Sequence, residues 1–301
     1  MKIIGEENSR MGELLNGGLD YSQVSSAEWI EKIDQEGDKF VKSTKALPRT
    51  SYLFFNQEVE IFSNAKVRAA FSIAIDRQEI QEALLQNIPQ AAYGWIAPPV
   101  DVDDVNFREL AGEPIEEMIE ENPDPQALLI EGLKELGMDE DPSSVTVTIM
   151  LPGIEDKEFG EYLQQVYSNE LGVNIELDPV EWPVFQERNR QLDYEMGYKS
   201  WGGGTNDPSA FLDLWITGTM TVPTGWSNPE YDELVREANA SIDTDLRKAN
   251  FVEAERILLK EDSVVAPYSY STQNTYTNKN LKGVMEPDFA SIVIKYAYIE
   301  K

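Results

Sequence analysis

The 301-residue chain contains no cysteine and no histidine. The first absence removes disulfides, cysteine nucleophiles and thiolate metal sites. The second removes Ser-His-Asp triads and histidine-rich zinc sites. A cysteine-free composition is compatible with export and with the cytosol, so it fixes no compartment. Bases are scarce too: 25 Lys and Arg stand against 55 Asp and Glu, a formal charge of −30. That balance argues against nucleic acid, whose binding depends on cations neutralising phosphates, and against an anionic membrane surface. No apolar run approaches the ~20 residues of a membrane-spanning helix. No signal peptide is visible, because Met1-Lys2-Ile3-Ile4 runs at once into Gly5-Glu6-Glu7, an abrupt start for an intact exported protein. What is present is a globular composition, 41% hydrophobic and 10% aromatic, enough to core one large domain or two ordinary ones.

Periodicity and punctuation set out the elements. Short ones come first: a helix at 10–16, a turn at Gly17-Gly18, and a helix at 26–35 with Ser25 and Ser26 as its N-cap region. Residues 50–56 (TSYLFFN) read as a strand apolar on both faces, hence inside a covered sheet. Val67, Ala70, Phe71, Ala74, Ile75, Ile80, Ala83 and Leu84 recur at helical spacing. They predict one long helix, capped by Asn64 and ended by Asn87-Ile88-Pro89. Prolines keep 94–99 extended, and 100–123 reads as an acidic loop region of little periodicity. A helix at 125–136 stops at Gly137. Strand 145–151, helix 156–171, strand 173–177, helix 182–191 and strand 194–198 then alternate, the order of an α/β layer architecture. Helices at 229–240 and 245–259 and strands at 265–270 and 292–299 close the chain. Strand-rich ends around a central α/β block predict one domain interrupted by another.

The stretch 194–215, YEMGYKSWGGGTNDPSAFLDLW, carries the most chemistry. A strand runs into Trp201 and breaks at Gly202-Gly203-Gly204, a backbone open to close approach. Asn206-Asp207-Pro208 then signals a helix start. Three other chemistries fall away. No pair among the 55 acids is marked out as the two carboxylates of a glycosidase-type cleft. The acidic tract 101–106 has Asn106 where a calcium loop needs glycine, and Gly112 where it needs its closing glutamate. The three glycines are not followed by Gly-Lys-Ser/Thr, and Asp207 would repel phosphate. No catalytic residue, metal ligand or cofactor is assigned.

Four segments, in order, carry a family resemblance. Residues 66–77 (KVRAAFSIAIDR) are similar to a kVRqAlsyAiDR helix, and 89–99 (PQAAYGWIAPP) to a pA.G.iPP segment. Residues 200–212 (SWGGGTNDPSAFL) are similar to a gW.aDy.dP..fL segment. Residues 231–234 (YDEL), 254–259 (AERILL) and 266–268 (APY) match closing helices and a return strand. Across most of 50–285, the chain thus resembles the C-terminal part of solute-binding proteins of the oligopeptide/dipeptide ABC-importer family, family 5. The resemblance implies an α/β fold: a type II periplasmic-binding-protein-like C-terminal lobe with a mixed sheet, plus flanking strands of the other lobe. Residues 1–59 and 264–301 would belong to the N-terminal lobe and 60–263 to the C-terminal lobe. Members are longer, with a signal peptide and a further lobe portion ahead, so the chain would be a fragment. The implied protein is a non-catalytic, extracytoplasmic monomer, periplasmic or lipid-anchored, that closes on an oligopeptide and delivers it to ABC-importer permease subunits.

The resemblance also implies a site. Ser200, Trp201 and Gly202 match positions that pair with the peptide backbone, with Gly204, Asn206 and Asp207 beside them. Gly204 stands where the family carries an aspartate for the peptide amine, and Asp207 matches a helix-capping acid. Tyr198 and Asn189 fall where some members carry arginines facing the carboxylate end. Tyr52, Phe54 and Tyr93 are further pocket candidates, with core packing as their competing role. A carboxylate-dependent hydrolase and a sensory receptor on the same fold are the alternatives.

Overall fold

Two long strands cross the molecule, and the other elements are arranged about them. The computed structural model describes residues 4–86, 88–153, 156–219 and 221–300. In chain order, α1 (Glu7–Leu15), β1 (Tyr21–Val24) and α2 (Ala27–Asp34) precede the first long strand, β2 (Phe40–Phe55). Then come α3 (Ala65–Ile73), α4 (Arg77–Ala83), β3 (Gln90–Ala91), β4 (Asp101–Val102), β5 (Val105–Asn106), α5 (Phe107–Ala111), α6 (Pro114–Glu121) and α7 (Pro125–Leu136). The block β6 (Thr146–Leu151), α8 (Lys157–Glu170), β7 (Asn174–Pro179), α9 (Trp182–Arg190), β8 (Met196–Gly202) follows. Helices α10 (Ser209–Leu212), α11 (Pro229–Ala240) and α12 (Thr244–Arg256) lead to the second long strand, β9 (Val265–Asn278). A small pair, β10 (Leu281–Lys282) and β11 (Tyr298–Ile299), ends the chain. No described helix is long and apolar enough to cross a membrane.

The main sheet has the order β1-β9-β2-β8-β6-β7, with β3 added on β9. It is mixed: β1, β9, β2 and β8 run antiparallel to their neighbours, while β8, β6 and β7 are parallel through the α8 and α9 crossovers. Side chains alternate across β2. Tyr52 and Phe54 enter a core with Tyr231, Val235, Phe251 and Leu258; Leu53 and Phe55 enter one with Val67, Phe71, Leu133 and Tyr167 on the other face. Both faces are covered, as the unbroken apolar run requires. A third core (Met11, Leu14, Val24, Ile33, Phe40, Tyr276) draws only on the two ends of the chain. The β2–β9 register shifts between Ala46 and Thr50, around Pro48, which has no N–H to give the ladder.

Several expectations are corrected. The long helix is two helices, because Asp76 caps the second by accepting from the N–H groups of Gln78 (2.9 Å) and Glu79 (3.0 Å). The apolar periodicity ran on because both helices face one core. The Asn64 cap holds, accepting from Lys66 and Val67; Asn87 of the expected stop lies outside the described residues. Residues 100–123 are not a loop. Asp103 (φ 49°) and Asp104 (φ 65°) make a tight two-residue hairpin turn, and α5 and α6 follow. The strand at 292–299 shrinks to β11, whereas β2 and β9 outrun 50–56 and 265–270 because pairing stabilises their polar, half-exposed halves.

A buried ionic clamp fixes the segment that backs the site. Glu255 of α12, fully buried, accepts from the N–H groups of Trp95 (2.9 Å) and Ile96 (2.8 Å) and pairs with Arg108. Trp95 in turn donates its indole N–H to Phe211 O (2.9 Å) and accepts at its carbonyl from Thr50 Oγ1 (2.9 Å). Removing one partner of such a pair strands the other's charge. Glu255→Ala is expected to cost about 3–5 kcal/mol in urea unfolding. A loss below about 1 kcal/mol, the scale of one net hydrogen bond, would show that the clamp is not structural.

Candidate functional site

The strand β8 is paired unequally on its two sides. With β2 it pairs from Met196 through Gly202; β6 meets it only at Met196 and Gly197. Strand β6 ends at Leu151 because Pro152 follows. In an antiparallel ladder, alternate residues send both backbone polar groups to the same neighbour. Flanking bonds set the phase: Gly203 N–H donates to Pro48 O (2.8 Å), and Asn56 N–H donates to Glu195 O (2.9 Å). Odd-numbered residues of β8 therefore bond β2. The N–H and C=O groups of Ser200 and Gly202 point to the side that β6 does not reach. Among the described residues no strand pairs with that side, which makes it an open strand edge.

The side chains around this edge have distinct tasks. Ser200 is exposed, and its Oγ accepts from Arg49 Nη1 (3.2 Å). Trp201 lies on the opposite face, half-buried against the larger core, with its indole N–H donating to Ala210 O (2.8 Å). Gly203 is a glycine for want of room: a Cβ would stand 2.3 Å from Phe211 Cε2. Gly204 is exposed, with nothing within 4 Å of a Cβ. Asn206 is tied to Asp101, accepting from its N–H (2.7 Å) and donating to its carboxylate (2.9 Å). Asp207 starts α10 by accepting from Ser209 N–H (2.9 Å), and its charge is met by Arg247, which also pairs with Asp103 (3.0 Å).

The remaining candidates are scattered. Tyr198 is buried on the face away from Trp201, its hydroxyl donating to Asp156 O (3.1 Å). Tyr52 and Phe54 are fully buried, Tyr52 edge-on to Trp95 at 4.7 Å, and they present no surface to a ligand. Tyr93 lies beneath the Arg77 guanidinium (5.6 Å), in a groove between α4 and α8 that shares no lining residue with the β8 edge. Asn189 is 1% exposed at the end of α9, and its Oδ1 accepts from Lys199 Nζ (2.9 Å). Among the described residues, no three acidic side chains gather as a metal site.

Sequence reasoning passed over Arg49 and Lys199. Alternation put Lys199 on the face of Trp201, but the pairing that sets Arg49 opposite Gly202 has no local signal. Lys199 sits over the Phe54 ring (5.2 Å), and burial pushes its ammonium down to about 8. Its folded value lies below the unfolded one, so the unfolded chain binds the proton more tightly. The resulting cost to stability is fully present below about 8 and disappears as pH rises toward about 10.5. Lys199→Met is expected to stabilise the fold at pH 7 by on the order of 2 kcal/mol, with the gain vanishing by roughly pH 10 in parallel urea melts. Equal stability of the two proteins across that range would contradict this. The glycines give a second test: Gly203→Ala is expected to cost about 1–3 kcal/mol through overpacking, and Gly204→Ala under about 0.5 kcal/mol as a surface change. Equal costs would refute the assigned geometry.

The comparisons with known proteins agree with this architecture. The family model of bacterial extracellular solute-binding proteins, family 5 Middle, matches residues 1–221. The chain is 29% identical over 297 residues to the dipeptide-binding protein DppE of Bacillus subtilis (strain 168), covering 98% of this chain and 53% of that one. It is 25% identical over 311 residues to the oligopeptide-binding protein OppA of the same organism, covering 100% and 54%. It therefore spans about half the length of the curated relatives it matches. Among solved structures, Listeria monocytogenes OppA bound to peptide superposes with a TM-score of 0.77 at 23% identity, covering 100% of this chain and 57% of that one. The fold is that of the type II periplasmic binding proteins, and the chain belongs to the bacterial extracellular solute-binding proteins, family 5.

Proposed function

We propose that the chain is the portion of an extracytoplasmic substrate-binding protein that offers one strand edge to an oligopeptide, for delivery to an ABC importer. The observation that carries this reading is the edge at Ser200 and Gly202, left open where β6 stops. A peptide added there pairs by main-chain hydrogen bonds, which give affinity without reading side chains. Trp201 walls one side of the added strand. The relatives named as dipeptide- and oligopeptide-binding proteins support a peptide ligand. The protein binds and releases without catalysis and acts as a monomer outside the cytoplasm, periplasmic or lipid-anchored.

We further assign the change between lobes to the β2–β9 ladder near Pro48, inside the 1–59 and 264–301 segments. There the end-derived core gives way to the two central ones. Residues 60–263 then form the C-terminal lobe, and a ligand touching both lobes shifts the population toward closure. Gly204 gives a free peptide amine no charged partner, and Asp207 is occupied by Arg247. Tri-alanine is expected to bind the isolated chain more weakly than roughly micromolar, since one wall of the cleft is missing. N-acetylation is expected to change that affinity less than about twofold; Gly204→Asp, which has room for its side chain, should favour the free amine about tenfold. Calorimetry and NMR titration of both proteins check this. Micromolar or tighter binding to the isolated chain, or no binding by either protein at millimolar peptide, would overturn the reading.

A further inference from the structure

A cavity of about 450 Å³ begins where the open edge ends. Gly203, the residue after Gly202, forms part of its wall, and the rest comes from β1, β2, β9 and the tail at 286–292. The volume is that of a small-molecule pocket. Gly202, Gly203 and Gly204 put no side chain between the edge and this space. The charges in the wall do not cancel. Lys45 Nζ is committed to the carbonyls of Glu286 (2.9 Å) and Pro287 (3.2 Å) and to the Asp288 carboxylate (3.4 Å). The half-buried Glu286 carboxylate has no such answer: no base of the described residues comes within 4.0 Å of it. Its nearest partners are neutral. Thr275 Oγ1 donates to Oε2 (3.2 Å), and the Tyr21 hydroxyl lies beside the carboxylate. Glu286 Oε1 and that hydroxyl are both shielded from water, and neither completes a hydrogen bond. A carboxylate held this way costs free energy until a cation meets it.

We infer that this cavity is a specificity pocket for a lysine or arginine side chain of the bound peptide, with Glu286 at its anionic end. The inference rests on the strand-edge reading, which sets the peptide main chain along Ser200 and Gly202 and leaves selection to side-chain pockets. An added strand lies about 4.8 Å from β8. A long basic side chain spans that width and crosses β8 at its glycines, where a short one stops before the cavity. Leu47 and Phe289 offer an apolar wall to the methylenes while the charged head meets Glu286. The net charge of −30 draws cationic peptides to the chain as a whole without choosing where they bind. The cavity supplies that choice.

The test titrates the chain by NMR with tri-lysine and with tri-lysine acetylated at every Nζ, at about 0.15 M salt to screen the overall charge. Tri-lysine is expected to bind about tenfold more tightly, the scale of one charge-assisted hydrogen bond. It should also give nuclear Overhauser contacts from a lysine ε-methylene to the Tyr21 or Phe289 ring. Glu286→Gln should remove the preference. Glu158→Gln, which takes the same charge from an exposed position on α8, should keep it. Equal binding of the two peptides to the wild-type chain, or a preference that survives in Glu286→Gln, overturns the inference even where the Ser200 and Gly202 amides respond. Should Glu286→Gln not fold, the wild-type contacts decide: their presence with tri-lysine alone supports the pocket, and their absence overturns it. If neither peptide moves the Ser200 and Gly202 amides, the strand-edge reading fails. A saturable shift of the Tyr21 and Phe289 ring signals by tri-lysine alone then still supports a cation pocket, and no shift overturns it.

Discussion

A β-strand needs neighbours on both sides to satisfy its backbone, and β8 has a complete one on only one side. Strand β2 takes every odd-numbered residue from Gly197 to Gly203, while Pro152 ends β6 too early to serve Ser200 and Gly202. Everything notable about the site depends on that inequality. It leaves donors and acceptors in a line at the strand spacing, which another extended chain can match without any special side chain. The same feature on an unprotected protein would invite aggregation. Here the edge is short, it ends in glycines, and Arg49 and Lys199 stand on either face of it.

The supports of the edge are rigid, in contrast to its open side. Gly203 rests on Phe211 too closely for any side chain, Phe211 accepts from Trp95, and Trp95 is held by Glu255 and Thr50. These contacts connect the residue that follows the edge to the buried Arg108–Glu255 pair in α5 and α12. A site that binds through backbone geometry needs such backing, because a shift of a fraction of an ångström misaligns several hydrogen bonds together. The β2–β9 ladder extends the rigid frame into the core built from the chain ends. Its register shift around Pro48 neighbours the bond from Gly203 to Pro48. Under the proposed lobe boundary, the candidate site and the crossing point share a residue.

Much of the fold was legible in the sequence, and the reasons for the failures are physical. Residues 125–136 and 229–240 read correctly because proline, cap and period agreed. Asp76 was hidden because the apolar period ran straight across it. The outer halves of β2 and β9 were hidden because polar residues such as Lys42, Ser43 and Thr44 carry no strand signal without their partner. For the candidate site, the glycines and Trp201 pointed to the stretch, and the resemblance supplied the proposed strand-edge role. What no local pattern carried was pairing phase: it separates Ser200 and Gly202, which face outward, from Lys199 and Trp201, which bond β2. The same blindness left Lys199 unremarked and made Tyr52 and Phe54 pocket candidates, although burial on both faces of β2 closes them off.

That phase is directly measurable by amide hydrogen exchange on the isolated chain with and without saturating peptide. Lys199 and Trp201 should exchange slowly in both conditions. Ser200 and Gly202 should exchange fast in the free chain and become protected when peptide is bound. Protection of Ser200 and Gly202 in the free chain, or their continued fast exchange at saturation, would contradict an open edge that a ligand strand completes.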